Sequence, residues 1–328
     1  MHFPEMYLSG GFNLSPAQEL DMLKRTKYKH RCISAAFVIP ENLHYSKREA
    51  QKMELNEKKH TKIMLDSGAA SLHTLLLATS RRGHVDMARQ ALSVEALQKE
   101  MYERYISFVK EKLKHKKIWF YVTLDFKKHQ PTIFKMQKKF IKDGLCPAPV
   151  FHGDAGVEWL KKYADLGITY MCLGSIQTRK IQSRLRKYFD IVFNEGEKLG
   201  LQFHGLGFSS PALFLDYPFK SMDTAAWTKV AAYGSVVVPS ESCALKPIHI
   251  SSERTSSLSH TFNKMPAVFK KKLVDYIHKY GFDFKLARTS AAERGMWNAY
   301  VYSHLGKMDA FFESSTTGEG GSKWENLL

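Results

Sequence analysis

The chain has 328 residues, 44% of them hydrophobic, and a formal net charge of +17. That is enough for one large domain or two small ones with a real core. No run of eighteen apolar residues occurs, which excludes a membrane-spanning helix, and the start Met1-His2-Phe3-Pro4-Glu5 lacks the basic stretch and apolar core expected of a signal peptide.

Residues 1–31 read as a polar, basic lead-in that ends in Lys24-Arg25-Thr26-Lys27-Tyr28-Lys29-His30-Arg31. A first strand is predicted over 33–39, a charged helix over 46–60 and a short buried strand over Lys62-Ile63-Met64-Leu65. A loop or helix is expected over 74–92. A long helix over 93–117 is marked by Leu92, Ala96, Met101, Tyr105 and Val109 near helical spacing. Strands over 118–124, 149–151, 168–173, 201–203, 219–222 and 234–239 follow, separated mostly by helices over 128–143, 156–166, 176–199 and 224–233. Strand alternating with helix argues for an α/β fold and against a sandwich. Eight strands fit a TIM (β/α)8 barrel with its core over 32–240. After residue 240 the rhythm stops. Helices over 266–280, with Pro266 near the first turn and Gly281 past the end, and over 287–305 make a C-terminal helical extension spanning 241–312. Residues 313–328, with their Gly/Ser/Thr run, read as a flexible tail.

The predicted strands end in polar residues. The run Leu65-Asp66-Ser67-Gly68-Ala69 places a carboxylate, a hydroxyl and a glycine together where a strand stops. Backbone can approach a ligand closely at Gly68, and Asp66 can act as an acid, a base or a hydrogen-bond acceptor. Capping of the next helix is the plainer use of Asp66 or Ser67. Later runs end at Asp125, at His152-Gly153-Asp154, at Gly174-Ser175, at His204-Gly205-Leu206-Gly207 and at Asp223-Thr224. In a parallel α/β protein these ends share one face, and in a TIM barrel that face carries the active site.

Lysine and arginine cluster over 110–117, at Lys127-Lys128, over 135–139, at Arg179-Lys180 with Arg184 and Arg186-Lys187, and over 270–272. Such a balance favours a polyanionic partner, nucleic acid first. An anionic membrane surface fits less well, because no strongly amphipathic terminal anchor is visible. The four cysteines, Cys32, Cys146, Cys172 and Cys243, are scattered with no C-x-x-C pair. They read as reduced thiols of a cytoplasmic protein, and no metal site is expected.

Taken in order, four segments resemble the tRNA-guanine transglycosylase superfamily, nearest its phage and bacterial DNA 7-deazaguanine branch. They are Leu65-Asp66-Ser67-Gly68-Ala69; Phe151-His152-Gly153-Asp154 with Trp159-Leu160, Tyr163 and Gly167-Ile168; Phe203-His204-Gly205-Leu206-Gly207; and the run from Tyr217 to Trp227. The resemblance covers roughly residues 33–240. It implies a TIM barrel that exchanges guanine for a free 7-deazaguanine base through a covalent aspartyl-glycosyl intermediate, with no cofactor. Asp223 matches the family's nucleophile near the seventh strand and Asp66 its acid/base aspartate. Asp125 matches a base-recognition aspartate. His152 and Gly153 fall where a glutamine and glycine meet the base, and His204 falls where a methionine packs on it. Ser67, Gly68, Gly174 and Gly207 complete the implied base site. Lys127, Lys128, Arg179, Lys180 and Arg184 are expected on the phosphate backbone. Without the resemblance, Asp223 and Asp125 read as helix caps.

The chain departs from the tRNA enzymes in two ways. Ala69-Ala70-Ser71 stands where they carry a stacking aromatic, and their C-x-C-x-x-C zinc cluster is absent. Both departures point to DNA rather than tRNA. The competing readings are a tRNA-acting paralogue, a barrel that binds nucleic acid without chemistry, and a phosphate-handling barrel. The last is weakened because no glycine-rich phosphate loop follows the seventh or eighth strand. The sequence leaves open the oligomeric state and the identity of the inserted base.

Overall fold

Short apolar runs broken by small or polar residues set the architecture. The computed structural model describes residues 3–11, 14–42, 44–69, 94–125, 129–153, 155–174, 182–207, 215–252 and 261–312; for 94–98 and 182–184 only the backbone is described. The chain divides into two compact units. One comprises 1–28, 208–218 and 224–328, the other 29–207 and 219–223. In chain order the elements are β1 (Glu5–Leu8), α1 (Pro16–Thr26), β2 (His30–Ser34), α2 (Ala35–Val38), α3 (Lys47–Lys58), β3 (Lys62–Asp66), α4 (Val94–Lys114) and β4 (Phe120–Tyr121). There follow α5 (Gln130–Lys142), β5 (Val150–His152), α6 (Glu158–Ala164), β6 (Tyr170–Gly174), α7 (Gln182–Lys198), β7 (Gln202–Gly205), β8 (Ser221–Thr224) and α8 (Ala226–Ala232). The chain continues through β9 (Ser235–Pro239), β10 (Leu245–His249), α9 (Ala267–Lys279), α10 (Phe284–Thr289) and α11 (Ala291–His304).

The parallel sheet of this mixed α/β fold counts eight strands, β1 to β8. Strands β2 to β8 build the second unit. β2 pairs with β3 in register Ser34–Asp66, and β3 with β4 in register Leu65–Tyr121. β5 pairs with β6 at His152–Gly174, β6 with β7 at Leu173–Gly205, and β7 with β8 at Gly205–Met222. A parallel bridge between Val122 and Ala148 joins the β4 side to the β5 side. There the Ala148 N–H donates to the Tyr121 carbonyl at 2.8 Å and the Thr123 N–H to the Ala148 carbonyl at 3.0 Å. The strands therefore form one curled parallel run flanked by helices, a TIM-like arrangement. Parallel strands buried on both faces require near-continuous apolar sequence, and Ile63, Met64 and Leu65 have no exposed surface at all.

The helices cover this sheet with apolar stripes. On α4, Tyr102, Tyr105 and Val109 recur at i, i+3 and i+7 and pack with Ile33, Leu65 and Phe140. On α7, Phe189 and Phe193 meet Phe219, with ring centroids 5.4 and 4.8 Å apart. Burying each such ring contributes roughly 1.5–3 kcal/mol. α3 begins where the Ser46 hydroxyl accepts the Glu49 N–H, satisfying one orphan donor of its first turn.

The first unit carries its own polar fastenings. A capping box between Ser15 and Gln18 opens α1. Arg25 pairs with Glu293 at 2.9 Å. The buried Asn298 side chain accepts the Val237 N–H at 2.8 Å and donates to the Trp227 and Ser235 carbonyls. β9 and β10 form an antiparallel pair in register Pro239–Leu245.

Several elements differ from the sequence expectation. The segment read as a lead-in holds β1 and α1. The first predicted strand, 33–39, is a strand only through Ser34 and turns helical over Ala35–Val38. The run 234–239, read as the eighth barrel strand, is β9, and its partner is the antiparallel β10. The strand bearing Asp223 is thus eighth in order, because β1 precedes the rest. The predicted helix over 287–305 is two helices, parted at Ser290, whose side chain caps the second. The predicted segment 74–92 and the predicted tail over 313–328 lie outside the described residues.

Candidate active site

Several strands of the second unit end at or beside a residue with chemistry, and parallel pairing brings those ends to one edge of the sheet. β3 ends on Asp66, β5 on His152, β6 on Gly174, and β8 carries Asp223 one residue before its end. Asp125 lies four residues past β4. Three carboxylates therefore converge, and their mutual influence is visible at Asp66. Burial, then the charges of Asp125 and Asp223, raise its pKa from 3.8 to about 7, against the opposing effect of a hydrogen bond from the Gly68 N–H. That bond measures 3.1 Å. Asp66 keeps some solvent-accessible surface although protein surrounds it deeply. A carboxyl group so enclosed is poorly hydrated and poised to hold a proton near neutrality.

Asp223 is held differently. Its Oδ1 accepts the Gly207 N–H at 2.7 Å and lies 3.3 Å from His204 Nε2. The helix that follows, α8, starts after Ala225 with no side-chain cap. The capping role considered for Asp223 is therefore not the one its carboxylate fills. Asp125 Oδ2 lies 3.4 Å from His152 Nε2. α5 starts after His129, again with no side-chain cap.

Glycines make room for these groups. A Cβ on Gly174 would stand 2.7 Å from Val150 Cγ1 and 3.2 Å from the His152 ring, so only glycine lets that imidazole sit against β6. Gly68 has φ +76°, and a Cβ there would fall 2.6 Å from Ala36 Cβ and 2.7 Å from the Ala36 nitrogen. Gly68→Ala combines left-handed backbone with a backbone clash and is expected to cost about 2 kcal/mol or more. Urea unfolding monitored by circular dichroism measures it, and unchanged stability would contradict this packing.

Ser67 is buried, its Oγ 3.4 Å from the Ala69 N–H, in a local turn. Gly153 is exposed and near the Tyr188 ring. His204, expected to pack on the base, lies inside the protein. It is 0% exposed, and its ring nitrogens face Ser221 and Asp223. Phe120 meets it edge-on at 5.2 Å. Its face is thus covered by protein and not offered as a stacking surface for a base.

Sequence reasoning overlooked Ser221 and Tyr170, which extend the polar chain from His204. Cys32 and Cys172 are buried near enough to feel the same carboxylates. Burial first, and then the Asp223 and Asp66 charges, push both thiols well up, so they stay protonated and inert. A usable signal was present: Ser221 and His204 are polar residues inside short apolar strands, and they stand opposite each other in register.

Lys127, Lys128, Arg179 and Lys180 lie outside the described residues, as does Asp154, and of Arg184 only the backbone in α7 is described. The cluster over 110–117 closes α4 and precedes β4, which sets it at the opposite end of the strands from the carboxylates. Lys112 there pairs with Glu57 at 2.7 Å. Lys139 sits over the Tyr102 ring at 3.5 Å. Among the described residues no group of three or more His, Cys, Asp or Glu side chains is arranged to hold a metal, and no helix is long and apolar enough to cross a membrane.

The fold and the site together define a parallel α/β protein with a carboxylate cluster at the strand ends. No protein-family model matches the chain, and no curated protein matches it.

Proposed function

We propose that the chain is a base-exchanging transglycosylase that replaces guanine in DNA with a 7-deazaguanine such as 7-cyano-7-deazaguanine. In this reading β1 completes a closed (β/α)8 barrel, and the enzyme works in the cytoplasm of a bacterial or phage-infected cell. The observation that carries the reading is a pair of unlike carboxyl groups in one unit. Asp66 holds a proton up to about pH 7, whereas Asp223 is oriented by hydrogen-bond donors. A carboxyl group that keeps its proton, beside one aimed by hydrogen-bond donors, suits the acid and the nucleophile of such an exchange. The four-segment resemblance adds the substrate class.

The reaction runs in two steps. An oxygen of Asp223 attacks the sugar C1′, the bond from C1′ to guanine breaks, and Asp66 gives its proton to the departing base. The electron pair of the broken bond leaves with the guanine. The incoming 7-deazaguanine then loses a proton to Asp66 and attacks C1′, and the aspartyl ester is released. A covalent intermediate divides one difficult exchange into two easier ones. Negative charge beside C1′ stabilises the oxocarbenium-like transition state. Asp125 with His152 would read the base edge, and Gly174 and Gly207 would let it approach the backbone. The target guanine must leave the duplex or lie in a single strand. Lys127, Lys128, Arg179, Lys180 and Arg184 would hold phosphates, which fix register without reading sequence.

The test is mass spectrometry of nucleosides from DNA and tRNA incubated with the protein and candidate deazaguanines. The expected product is a deazaguanine nucleoside from DNA. In competition between equal masses of DNA and tRNA carrying labelled guanine, label is released mainly from DNA, and binding weakens steeply between about 50 and 200 mM salt. Release mainly from tRNA overturns the DNA assignment. Release from neither overturns the reaction.

A further inference from the structure

A hydrogen-bonded chain runs from Asp223 into the interior of the second unit. His204 Nε2 lies 3.3 Å from Asp223 Oδ1. His204 Nδ1 lies 2.5 Å from Ser221 Oγ, and Ser221 Oγ lies 2.5 Å from the Tyr170 hydroxyl. His204 and Ser221 are 0% and 1% exposed. Their neighbours are apolar: Phe120 approaches His204 at 5.2 Å and Tyr170 at 5.1 Å. A buried polar group costs free energy unless it is hydrogen-bonded, so a polar chain in a core persists only when its members satisfy one another. A neutral imidazole satisfies this chain in one direction. Tyr170 O–H donates to Ser221, Ser221 O–H donates to Nδ1, and Nε2–H donates to the carboxylate.

Both donors to Asp223, Gly207 N–H and His204 Nε2–H, fall on the same oxygen, Oδ1. On the transglycosylase reading, we infer that His204 is a positioning residue, locked as the Nε2–H tautomer by Ser221 and Tyr170, that turns Asp223 so that Oδ2 is the atom that attacks C1′. The imidazole itself touches neither base nor sugar. Its contribution is orientation. A misplacement of about 1 Å costs on the order of 100-fold in rate when the attacking atom must sit within near-attack distance.

The test combines kinetics with a measurement that needs no turnover. In DNA exchange assays His204→Leu lowers kcat about 100-fold and leaves KM within about threefold. His204→Gln, whose amide can still donate to the carboxylate, recovers at least about tenfold of that loss, and Ser221→Ala falls about tenfold. A raised KM with kcat intact would make His204 a base contact and overturn the proposal. So would equal losses in the Gln and Leu variants when both keep the wild-type circular dichroism spectrum. Should the Leu variant fail to fold, Ser221→Ala and His204→Gln carry the comparison. Separately, ring ¹⁵N shifts of His204 in the free protein are expected to report the Nε2–H tautomer, and Ser221→Ala to disturb it. An Nδ1–H tautomer in wild type overturns the relay whatever the reaction proves to be. A wild type that exchanges no base, with the Nε2–H tautomer present, removes the transglycosylase reading and leaves the relay standing.

Discussion

Asp223→Asn is expected to abolish base exchange, with kcat down at least about 1,000-fold and DNA affinity changed by less than about threefold. Asparagine keeps the shape, and its amide oxygen can still accept the Gly207 N–H that now meets Oδ1 at 2.7 Å. What it lacks is a charged oxygen to form the ester with C1′ and to face the developing positive charge. The split between rate and affinity matters, because a carboxylate that only braced the Gly207 turn would lower stability and leave rate per folded molecule alone. Single-turnover exchange with labelled guanine, read beside filter binding, separates the two. Wild-type turnover in the variant would remove the nucleophile role.

Asp66→Asn is expected to fall at least about 100-fold in kcat, in line with the loss of a positioned acid/base group, and to gain stability at alkaline pH. The sign follows from the direction of the shift. Burial and the neighbouring carboxylates raise Asp66 from 3.8 to about 7, so between those values the folded protein holds a proton that the unfolded chain has released. The stabilisation due to that proton is complete below pH about 4 and is lost as pH rises through about 7. Asparagine has nothing to titrate. The variant should therefore overtake wild type as pH goes from 5 to 8, by about 2 °C or more in Tm. Wild-type exchange should in turn decline above pH about 7, as the donor to the departing guanine ionises. Differential scanning fluorimetry across that range reads the first effect, and the pH profile of kcat reads the second. A stability difference independent of pH would show that Asp66 is ionised in the fold across the whole range.

How far the sequence could be read depended on the physical range of each signal. Helix signals are local: apolar spacing places α4, charge places α3, and Pro266 with Gly281 bounds α9, each to within a few residues. Polar residues closing short apolar runs pointed to Asp66, His152 and Asp223, because a parallel sheet turns sequence position into one shared edge. β1 was missed because Glu5–Leu8 is only four residues long, and its burial depends on tertiary packing rather than on a long apolar run. The strand over 235–239 was found, yet its antiparallel partner β10, with Lys246 and Pro247, has no alternation that would announce a pairing. The surroundings of His204 lie outside local pattern for a similar reason. A histidine after a strand looks like a ligand contact, and only the register of His204 against Ser221 shows that its ring is already occupied.

The most direct test of the central claim is to quench a reaction of wild-type protein, DNA and deazaguanine in denaturant and map any covalent adduct by peptide mass spectrometry. The expected result is a deoxyribosyl-DNA adduct on the peptide containing Met222-Asp223-Thr224, absent in Asp223→Asn. An adduct on any other residue, or exchange that proceeds to product with no trappable adduct at any time point, would contradict it.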